Sequence, residues 1–416
     1  MLVTQQKVLR RFWYGLMPVD ELSGGPKAFT LLGEKLVLFL DRDGRPAALQ
    51  DRCCHRTAPL SHGRIEDGAV VCGYHGWTFD RDGKCIRIPQ QTTVGPRIRV
   101  PAYRCEARYG YVWVCLDEPL TDIPELPEAA DPRFRRIHEF HEIWDTAALR
   151  IIENAFDNAH FSYVHGQSFG DEARPEPAAL KLTPLDWGFV MDTVVPVRNP
   201  DVQKRNLHMD EDETLRTYKK VWWMPFSVKM TLSYPSGVVH IIVAMITPVD
   251  DRRTMFTQFV LRNDSEAEAP AAGVIAWDRR VTGEDRAMLE TTDYDVPLDL
   301  RSGEEFHMAS DQPGLEVRRR LLQLLHEHGE REARGTRDAG AADGKVHPRP
   351  EYRALSRVAQ VDDRRIAAAS PSETALRRRI QDRTQGVAAA TIGALPRGLT
   401  SPRPRRDVVQ FDTVSR

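Results

Sequence analysis

The first third of the chain alternates short apolar runs with turn residues. The tetrapeptide Asp-Arg-Asp-Gly occurs twice, at Asp41–Gly44 and Asp80–Gly83, and each copy lies between two runs that are rich in β-forming residues. An Asp-Gly turn between such runs is a hairpin signal. An aromatic run, "RYGYVWVCLDEP", closes the series. Residues 27–116 are therefore predicted to form a small all-β domain.

A proline- and acid-rich connector at residues 116–134 indicates a domain boundary, after which the pattern changes. The segment "TAALRIIENAFDNAHFSYVHG" has apolar residues at helical spacing and is predicted to form one helix that ends near Gly166. Residues 187–262 return to strands. Within them "VKMTLSY" alternates apolar and polar residues, which predicts one wet face, whereas "VVHIIVAMI" is apolar throughout and predicts a strand covered on both faces.

Two more helices are predicted near residues 273–291 and 314–328, the second with Pro313 in its first turn. From Glu332 onward Arg, Ala, Pro, Asp and Gly dominate, a composition that buries too little apolar area for a stable fold. The prediction is an α+β protein in three segments: an all-β domain at 1–135, a second domain of antiparallel sheet and helices at 136–331, and a disordered tail at 332–416.

Composition and charge narrow the function classes. The chain has 416 residues, 41% of them hydrophobic, and a formal net charge of −2. This balance predicts no general attraction to nucleic acid or to an anionic membrane. No apolar run reaches the length of a membrane span, and the N-terminus lacks the features of a signal peptide. A cytoplasmic location is expected.

All six cysteines lie in the first third of the chain, which in a reducing compartment favours a metal site over disulfides. Cys53 and His55 form one pair, and Cys72 and His75 form another, so each of two loops offers one thiolate and one imidazole. Such a set fits either a tetrahedral zinc site or a Rieske [2Fe–2S] centre. Zinc fingers favour a Cys pair followed by a His pair, so the mixed pairs favour the iron–sulfur centre.

A second group of candidate ligands lies on the predicted helix at residues 146–166. Asp157 and His160 are three residues apart and share a face, and His165 follows five residues later. Two His residues and one carboxylate form the facial triad of non-haem iron oxygenases. The apolar stripe of the next helix places Asp285 at its centre, so Asp285 is the predicted third ligand. Two other acids remain alternatives: Asp278 and Glu284.

Both groups resemble motifs of the Rieske-type non-haem iron oxygenases. "CCHRTAPLSHGRIEDGAVVCGYHGW" is similar to the cluster-binding segment of that family, and "N-x-x-D-x-x-H-x4-H", followed much later by "E-D-x-x-x-L-E", is similar to its catalytic domain. The resemblance implies a curved, helix-grip-like sheet in the second domain. It implies Cys53, His55, Cys72 and His75 as cluster ligands and His160, His165 and Asp285 as ligands of a mononuclear Fe(II), with Asn154 nearby. The other cysteines of the chain and one further histidine are interpreted as structural: Cys54 (buried), His62, Cys85, Cys105 and Cys115.

The resemblance also implies how the two centres work together. Asp157 would bridge His160 to His75 of a neighbouring subunit in a head-to-tail homotrimer. No G-x-G-x-x-G fingerprint is present, so electrons are expected from a separate NAD(P)H-dependent reductase, a ferredoxin, or both. The chain resembles the single-subunit monooxygenase and O-demethylase branch. Alternatives are an arene cis-dihydroxylating dioxygenase and a Rieske electron carrier with an inert second domain.

An aromatic or alicyclic substrate, together with O2, is expected because the residues predicted to surround the iron are mostly apolar. His240 interrupts an apolar run, and its interpretation as a substrate-binding residue or as a satisfied core residue stays open. The predicted pocket residues are Phe156, Phe161, Val164, Trp222, Met230, Leu232 and Ile242.

Overall fold

In the computed structural model, which describes residues 1–335, the first third of the chain forms two antiparallel sheets. The larger has six strands in the order β1-β10-β9-β4-β3-β2, and the smaller has four in the order β5-β6-β7-β8. The strands are β1 (Tyr14–Pro18), β2 (Lys27–Leu31), β3 (Glu34–Leu40), β4 (Pro46–Gln50), β5 (Arg64–Glu66), β6 (Ala69–Val71), β7 (Thr78–Phe79), β8 (Cys85–Arg87), β9 (Ala102–Arg108) and β10 (Tyr111–Cys115). The predicted all-β domain is confirmed.

The repeated Asp-Arg-Asp-Gly motif forms two hairpin turns, as predicted, between β3 and β4 and between β7 and β8. Gly44 and Gly83 have φ of 73° and 75°, a region that a side chain disfavours. The two turns are also tied together, because Asp41 of the first accepts a hydrogen bond from Arg81 of the second at 2.6 Å. The repeat therefore fixes one hairpin against the other.

The rest of the described chain is built on one curled, seven-stranded antiparallel sheet in the order β11-β17-β16-β15-β14-β13-β12. Its strands are β11 (Arg135–Trp144), β12 (Leu180–Leu185), β13 (Gly188–Arg198), β14 (Glu213–Trp223), β15 (Ser227–Ser233), β16 (Val239–Pro248) and β17 (Thr254–Arg262). The helices are α1 (Ala148–Phe156), α2 (Phe161–Val164), α3 (Asp201–Leu207), α4 (Ala271–Leu289) and α5 (Gln312–Glu327). Helix α1 packs on β15 and β16, and α4 packs on β11.

The single helix predicted at residues 146–166 is wrong, since the helix breaks after Phe156. Asp157 leaves the helix with φ −81° and ψ 143°, and its carboxylate accepts the backbone N–H groups of Ala159 and His160 at 2.8 and 3.1 Å. Aspartate competes with helix hydrogen bonds in this way, which is why it favours helix ends. The break places His160 at the start of the one-turn helix α2 and His165 at its end.

The two later helices agree with the sequence prediction, and Pro313 lies in the first turn of α5. The apolar period of α4 predicts that Met288 belongs to the buried stripe, and this detail is wrong. Met288 is 55% exposed, and it is Leu289, one residue on, that is buried at this end of the helix.

Strand β1, at the edge of the six-stranded sheet, joins that sheet to the seven-stranded one. Gly15 of β1 packs so closely on β16 that a Cβ would lie 2.1 Å from the sulfur of Met245. The hydroxyls of Thr247 and Thr257 donate to the carbonyls of Gly15 and Leu16, which satisfies these backbone groups where the sheets meet.

Four residues of the predicted tail, 332–335, make contacts in the structure. Ala333 accepts the backbone N–H of Leu2, and Arg334 pairs with Asp295. Residues 336–416, the rest of that predicted tail, lie outside the described residues. Within residues 1–335 no helix is both long and apolar enough to cross a membrane.

Candidate metal centres

The two loops of the first motif have the same backbone hydrogen bonds. In one, Cys53 N–H donates to Ala58 O at 2.9 Å; in the other, Cys72 N–H donates to Trp77 O at 2.8 Å. Each cysteine carbonyl also accepts an N–H from four residues further on, Thr57 in one loop and Gly76 in the other. The two loops are therefore closed by the same backbone hydrogen bonds, and each presents one sulfur and one imidazole.

These four side chains lie together. Cys53 and Cys72 are both buried, and the rings of His55 and His75 have centroids 4.5 Å apart. Burial raises the pKa of the Cys53 thiol to about 11, and the nearby Cys72 adds to this rise. A thiolate at this position therefore needs a cation beside it.

Nδ1 of His55 is buried, and no hydrogen-bond partner for it exists among residues 1–335. A buried imidazole nitrogen without a partner is rare unless a group is missing from the site. Trp77 stacks on the same ring at 4.5 Å with an interplanar angle of 1° and so fixes its orientation. Two buried sulfurs and two adjacent imidazoles, one of them unsatisfied, fit the donor set of a Rieske cluster.

The other cysteines differ from the expectation in one case. Cys54 is exposed, not buried; Cys85 and Cys115 are buried and Cys105 is intermediate. Cys85 and Cys115 lie within 3.5 Å of backbone carbonyl oxygens, to which their thiols donate. Structural roles suit these residues.

The second motif brings together His160, His165 and Asp285, which offer one ligand atom each, all within 4.8 Å of one another. Asp285 Oδ1 lies 3.4 Å from Nε2 of His160 and 3.3 Å from Nε2 of His165. His165 is buried, and the other two side chains are largely so. Helix α4 supplies the carboxylate, and the two ends of α2 supply the imidazoles.

A further carboxylate orients each imidazole. Asp157 Oδ2 lies 3.1 Å from Nδ1 of His160, and Glu284 Oε2 lies 2.8 Å from Nδ1 of His165. Ser168 also donates to Glu284, at 2.8 Å. When Nδ1 carries the proton toward its carboxylate, the Nε2 lone pair is free for a metal ion.

The charges of these three side chains favour the binding of a cation. Burial raises the pKa of the Asp285 carboxyl, but the imidazoles of His160 and His165 outweigh that effect and hold the pKa well below its usual range. No Lys or Arg side chain among residues 1–335 lies within ion-pair distance of Asp285. An ionised carboxylate faced by two imidazole nitrogens is the donor set of a facial-triad iron site.

The remaining predicted residues fall on either side of this group. Asn154 donates to Asp285 Oδ1 at 3.2 Å and so lies beside the three ligand candidates. Glu284, an alternative ligand in the sequence, lies behind His165 instead. Asp278, the other alternative, lies 3.1 Å from Nε2 of His240, whose Nδ1 is 2.9 Å from Arg262, so both nitrogens of His240 have partners.

The three ligand candidates open onto a cavity of about 130 Å³, comparable to cavities that hold one benzene ring. Phe161, Met230, Leu232 and Ile242 line it as predicted, together with Trp144, Phe256 and Trp277. Phe156, Val164 and Trp222 do not belong to this lining in the described chain. The rings of Phe156 and Trp222 pack on Phe189 in the core, with centroids 5.0 and 5.3 Å away.

Comparison with known proteins decides the family. Residues 12–104 match the model of the Rieske [2Fe-2S] domain, and residues 144–327 match that of the Vanillate O-demethylase oxygenase C-terminal domain. Aminopyrrolnitrin oxygenase PrnD of Pseudomonas fluorescens is 31% identical over 280 residues, 60% of this chain and 73% of that protein. The chain belongs to the Rieske non-haem iron oxygenases. The family predicted from the two motifs is confirmed.

Other relatives of this Rieske oxygenase are demethylases by name. Methylxanthine N1-demethylase NdmA of Pseudomonas putida is 29% identical over 340 residues, 78% of this chain and 92% of that protein. The solved structure of Pseudomonas putida CBB5 NdmA with caffeine matches with a TM-score of 0.67 and 28% identity, covering 78% of this chain and 94% of that one. The chain is therefore similar to the demethylase branch of the Rieske oxygenases along nearly the whole length of these relatives.

Proposed function

We propose that this Rieske oxygenase is a terminal oxygenase component that uses O2 to demethylate or hydroxylate a small aromatic or alicyclic molecule. The observation that carries the proposal is the group of His160, His165 and Asp285 at the wall of an apolar cavity, in a chain that also has the two Rieske loops. Relatives named as a demethylase and as an oxygenase support the same reaction type.

Cys53, His55, Cys72 and His75 would hold a [2Fe–2S] cluster, and His160, His165 and Asp285 would hold Fe(II). A Rieske cluster passes single electrons, and Fe(II) in a facial triad leaves coordination positions for dioxygen. Asp157 and Glu284 orient the two imidazoles, and Asn154 holds the Asp285 carboxylate by a hydrogen bond. The aromatic side chains of the lining would receive the flat, apolar part of a substrate.

The family resemblance extends the proposal to electron supply. Electrons would come from a separate reductase or ferredoxin and reach the catalytic site between subunits of a homotrimer. Two side chains suit such a junction: the Asp157 carboxylate is 29% exposed, and His75 is partly exposed beside Tyr74, which is 65% exposed. Asp157 would then link His160 of its own chain to His75 of the next one.

Metal analysis and turnover test the proposal together. We expect acid-labile sulfide for one cluster and iron for the cluster plus one further ion per chain. With a surrogate reductase, oxygen uptake should rise in step with product when a substrate panel is screened. Iron for the cluster alone, with no turnover of any panel member, would support an electron carrier with an inert second domain instead.

A variant separates the two centres. His160→Ala removes one of the three candidate iron ligands and should abolish turnover and lose the additional iron, while the cluster absorbance and labile sulfide stay unchanged. His141→Ala, on strand β11, where the ring lies beside His138 of the same strand, serves as the control and should keep both metals. Loss of the cluster in His160→Ala would contradict the assignment.

A further inference from the structure

Three Lys or Arg side chains of the described chain line the cavity beside the predicted iron site, and two of them are already partnered. Arg262 pairs with Asp264, and the Lys220 ammonium donates to Ala155 O at 2.9 Å and to Asn158 Oδ1 at 3.2 Å. The third is Arg216 of β14, which is 3% exposed.

The Arg216 guanidinium is largely unsatisfied. It donates from Nη1 to the Tyr218 hydroxyl at 2.9 Å, but Nε and Nη2 are buried and have no hydrogen-bond partner among residues 1–335. No carboxylate of the described chain lies within ion-pair distance of it. Asp278, which lines the same cavity, acts on Arg216 only from beyond that distance. A buried cation without a paired anion is costly, and an arginine with its fork unpaired offers the geometry that binds a planar oxyanion.

Aromatic rings hold this guanidinium in place. Its central carbon lies 5.0 Å from the ring centre of Phe169, 5.2 Å from that of Tyr234 and 5.7 Å from that of Tyr218. Such cation–π contacts offset part of the cost of burial and fix the plane of the fork, yet they leave the N–H donors without acceptors. The side chain is thus fixed in orientation before any ligand arrives.

Phe169 also relates Arg216 to the predicted iron site, because its ring stacks on that of His165 with centroids 4.6 Å apart. The same phenyl ring therefore contacts both the guanidinium and a candidate iron ligand. A substrate with an anionic group at one end of an aromatic ring and the reacting carbon at the other would reach from Arg216 to the predicted iron site.

We propose that Arg216 binds a carboxylate or sulfonate group of the substrate, so that this oxygenase acts on a small aromatic acid. The inference rests on the proposed function for the reacting end of the molecule, whereas the anion contact is a binding property that needs no turnover. Arg216 would act as a specificity-determining residue and place the far end of the ring toward His160, His165 and Asp285.

Equilibrium binding to the metal-loaded protein, without reductase, tests the inference. The probes are matched pairs: 4-methoxybenzoate with 4-methoxybenzamide, and 4-methylbenzenesulfonate with its sulfonamide. Titration calorimetry, or quenching of the fluorescence of Trp144 and Trp277 in the cavity wall, reports affinity. The wild-type protein should bind at least one acid about tenfold or more tighter than its neutral partner, as expected for a charge-assisted, two-donor contact.

Variants assign the preference to one side chain. Arg216→Gln should remove the preference and change the affinity for the neutral partner by less than about twofold, and Arg216→Lys should restore only part of the preference because it lacks the fork. Lys219→Gln removes the same charge from an exposed position on the same strand and should leave the preference intact. The proposal is overturned if no acid in the panel binds better than its neutral partner, or if the preference survives in Arg216→Gln.

Thermal unfolding separates a binding role from a structural one. Because no ion pair is lost, unliganded Arg216→Gln should melt no lower than about two degrees below the wild-type protein. The preferred acid should then raise the melting temperature of the wild type and not that of the variant. A large fall in the melting temperature of the unliganded variant would instead make Arg216 a structural residue. Iron content and turnover, measured on the same samples, report on the proposed function independently.

Discussion

Two adjacent acids on α4, Glu284 and Asp285, have different tasks although their side chains are chemically alike. Asp285 faces Nε2 of both histidines, and Glu284 faces the opposite nitrogen of His165. The helical rotation of about 100° per residue is the cause, since it sends neighbouring side chains to different sides of the same imidazole. Asp285 thus suits the role of a metal ligand, and Glu284 orients the His165 imidazole.

The two acids should respond differently to removal of their charge. Asp285→Asn takes away the anionic donor, so the mononuclear iron should be absent after desalting. Glu284→Gln keeps all three donors and should weaken iron binding by roughly 10- to 100-fold. Iron measured against labile sulfide during dialysis with a chelator gives both values.

Glu290→Gln is the matched control, because Glu290 lies at the end of the same helix and pairs with Arg286. It should retain iron as the wild type does. Full iron in Asp285→Asn together with complete loss in Glu284→Gln would exchange the two assignments.

Single residues show where sequence information stops. Spacing alone selected His160 and His165, because both lie within one short segment of chain. The role of Glu284 depends on a contact between residues 119 positions apart, which no local pattern encodes. The sequence did contain a signal for Arg216. Together with Tyr218 and Lys220 it occupies every second position of β14, so the three side chains share the buried face of that strand.

At the scale of elements, the hydrogen bond from Arg81 to Asp41 connects the two hairpin turns. Strands β4 and β7, which leave and enter these turns, adjoin the two candidate cluster loops. The Asp41 side chain is 5% exposed and accepts hydrogen bonds from Asp43 N–H, Arg45 N–H and the guanidinium groups of Arg45 and Arg81. Burial raises the pKa of Asp41, but the hydrogen bonds from Arg45 and Asp43 outweigh it and leave the pKa below its ordinary value.

Asp41→Asn should lower the free energy of unfolding of the cluster domain by roughly 2 kcal/mol at neutral pH, because several donors lose their charged acceptor. The contribution of a carboxylate with a lowered pKa is present above about pH 4 and disappears as the pH falls through that lowered pKa. The difference between variant and wild type should therefore stay nearly constant down to about pH 4 and shrink as the pH falls below that value. Urea unfolding followed by cluster absorbance measures it.

Asp43→Asn is the internal comparison, since Asp43 occupies the same turn but is 59% exposed and pairs with Arg45 at the surface. Exposed pairs contribute little, so this variant should be nearly as stable as the wild type. Equal losses in the two variants would mean that the tie from Asp41 to Arg81 has no special importance.

The elements themselves were largely predictable, because periodicity and turn chemistry are local. The strands, the Asp-Gly turns and helices α4 and α5 follow from patterns within a few residues of each position. The break between α1 and α2 was missed because the apolar period continues across it. Asp157 ends the helix by accepting two backbone N–H groups, an outcome that depends on the rotamer of one side chain.

At the scale of the whole molecule, the proposed electron route makes each chain dependent on its neighbour. A cluster in one subunit would serve the iron site of the next, so a chain defective in one centre can be complemented by a chain defective in the other. Cys72→Ala should lack the cluster and keep the mononuclear site, whereas His160→Ala should do the reverse. Each variant alone should be inactive.

Co-expressed chains with two different affinity tags yield mixed assemblies, whose size light scattering can verify. Every mixed ring of three has one junction at which an intact cluster meets an intact iron site, so activity should return to about a third of the wild-type value. Mixed assemblies that hold both metals and remain inactive would place the electron route within a single chain.

Asp157→Asn locates the junction in these mixed rings. Introduced into the Cys72→Ala chain, whose iron site is the working one, it should abolish the recovered activity, because the amide cannot accept hydrogen bonds from two imidazoles as the carboxylate does. Introduced into the His160→Ala chain, where no electrons need to arrive, it should leave that activity unchanged. The same substitution thus has opposite outcomes that depend only on which chain carries it, and equal effects from both positions would rule out Asp157 as the bridge.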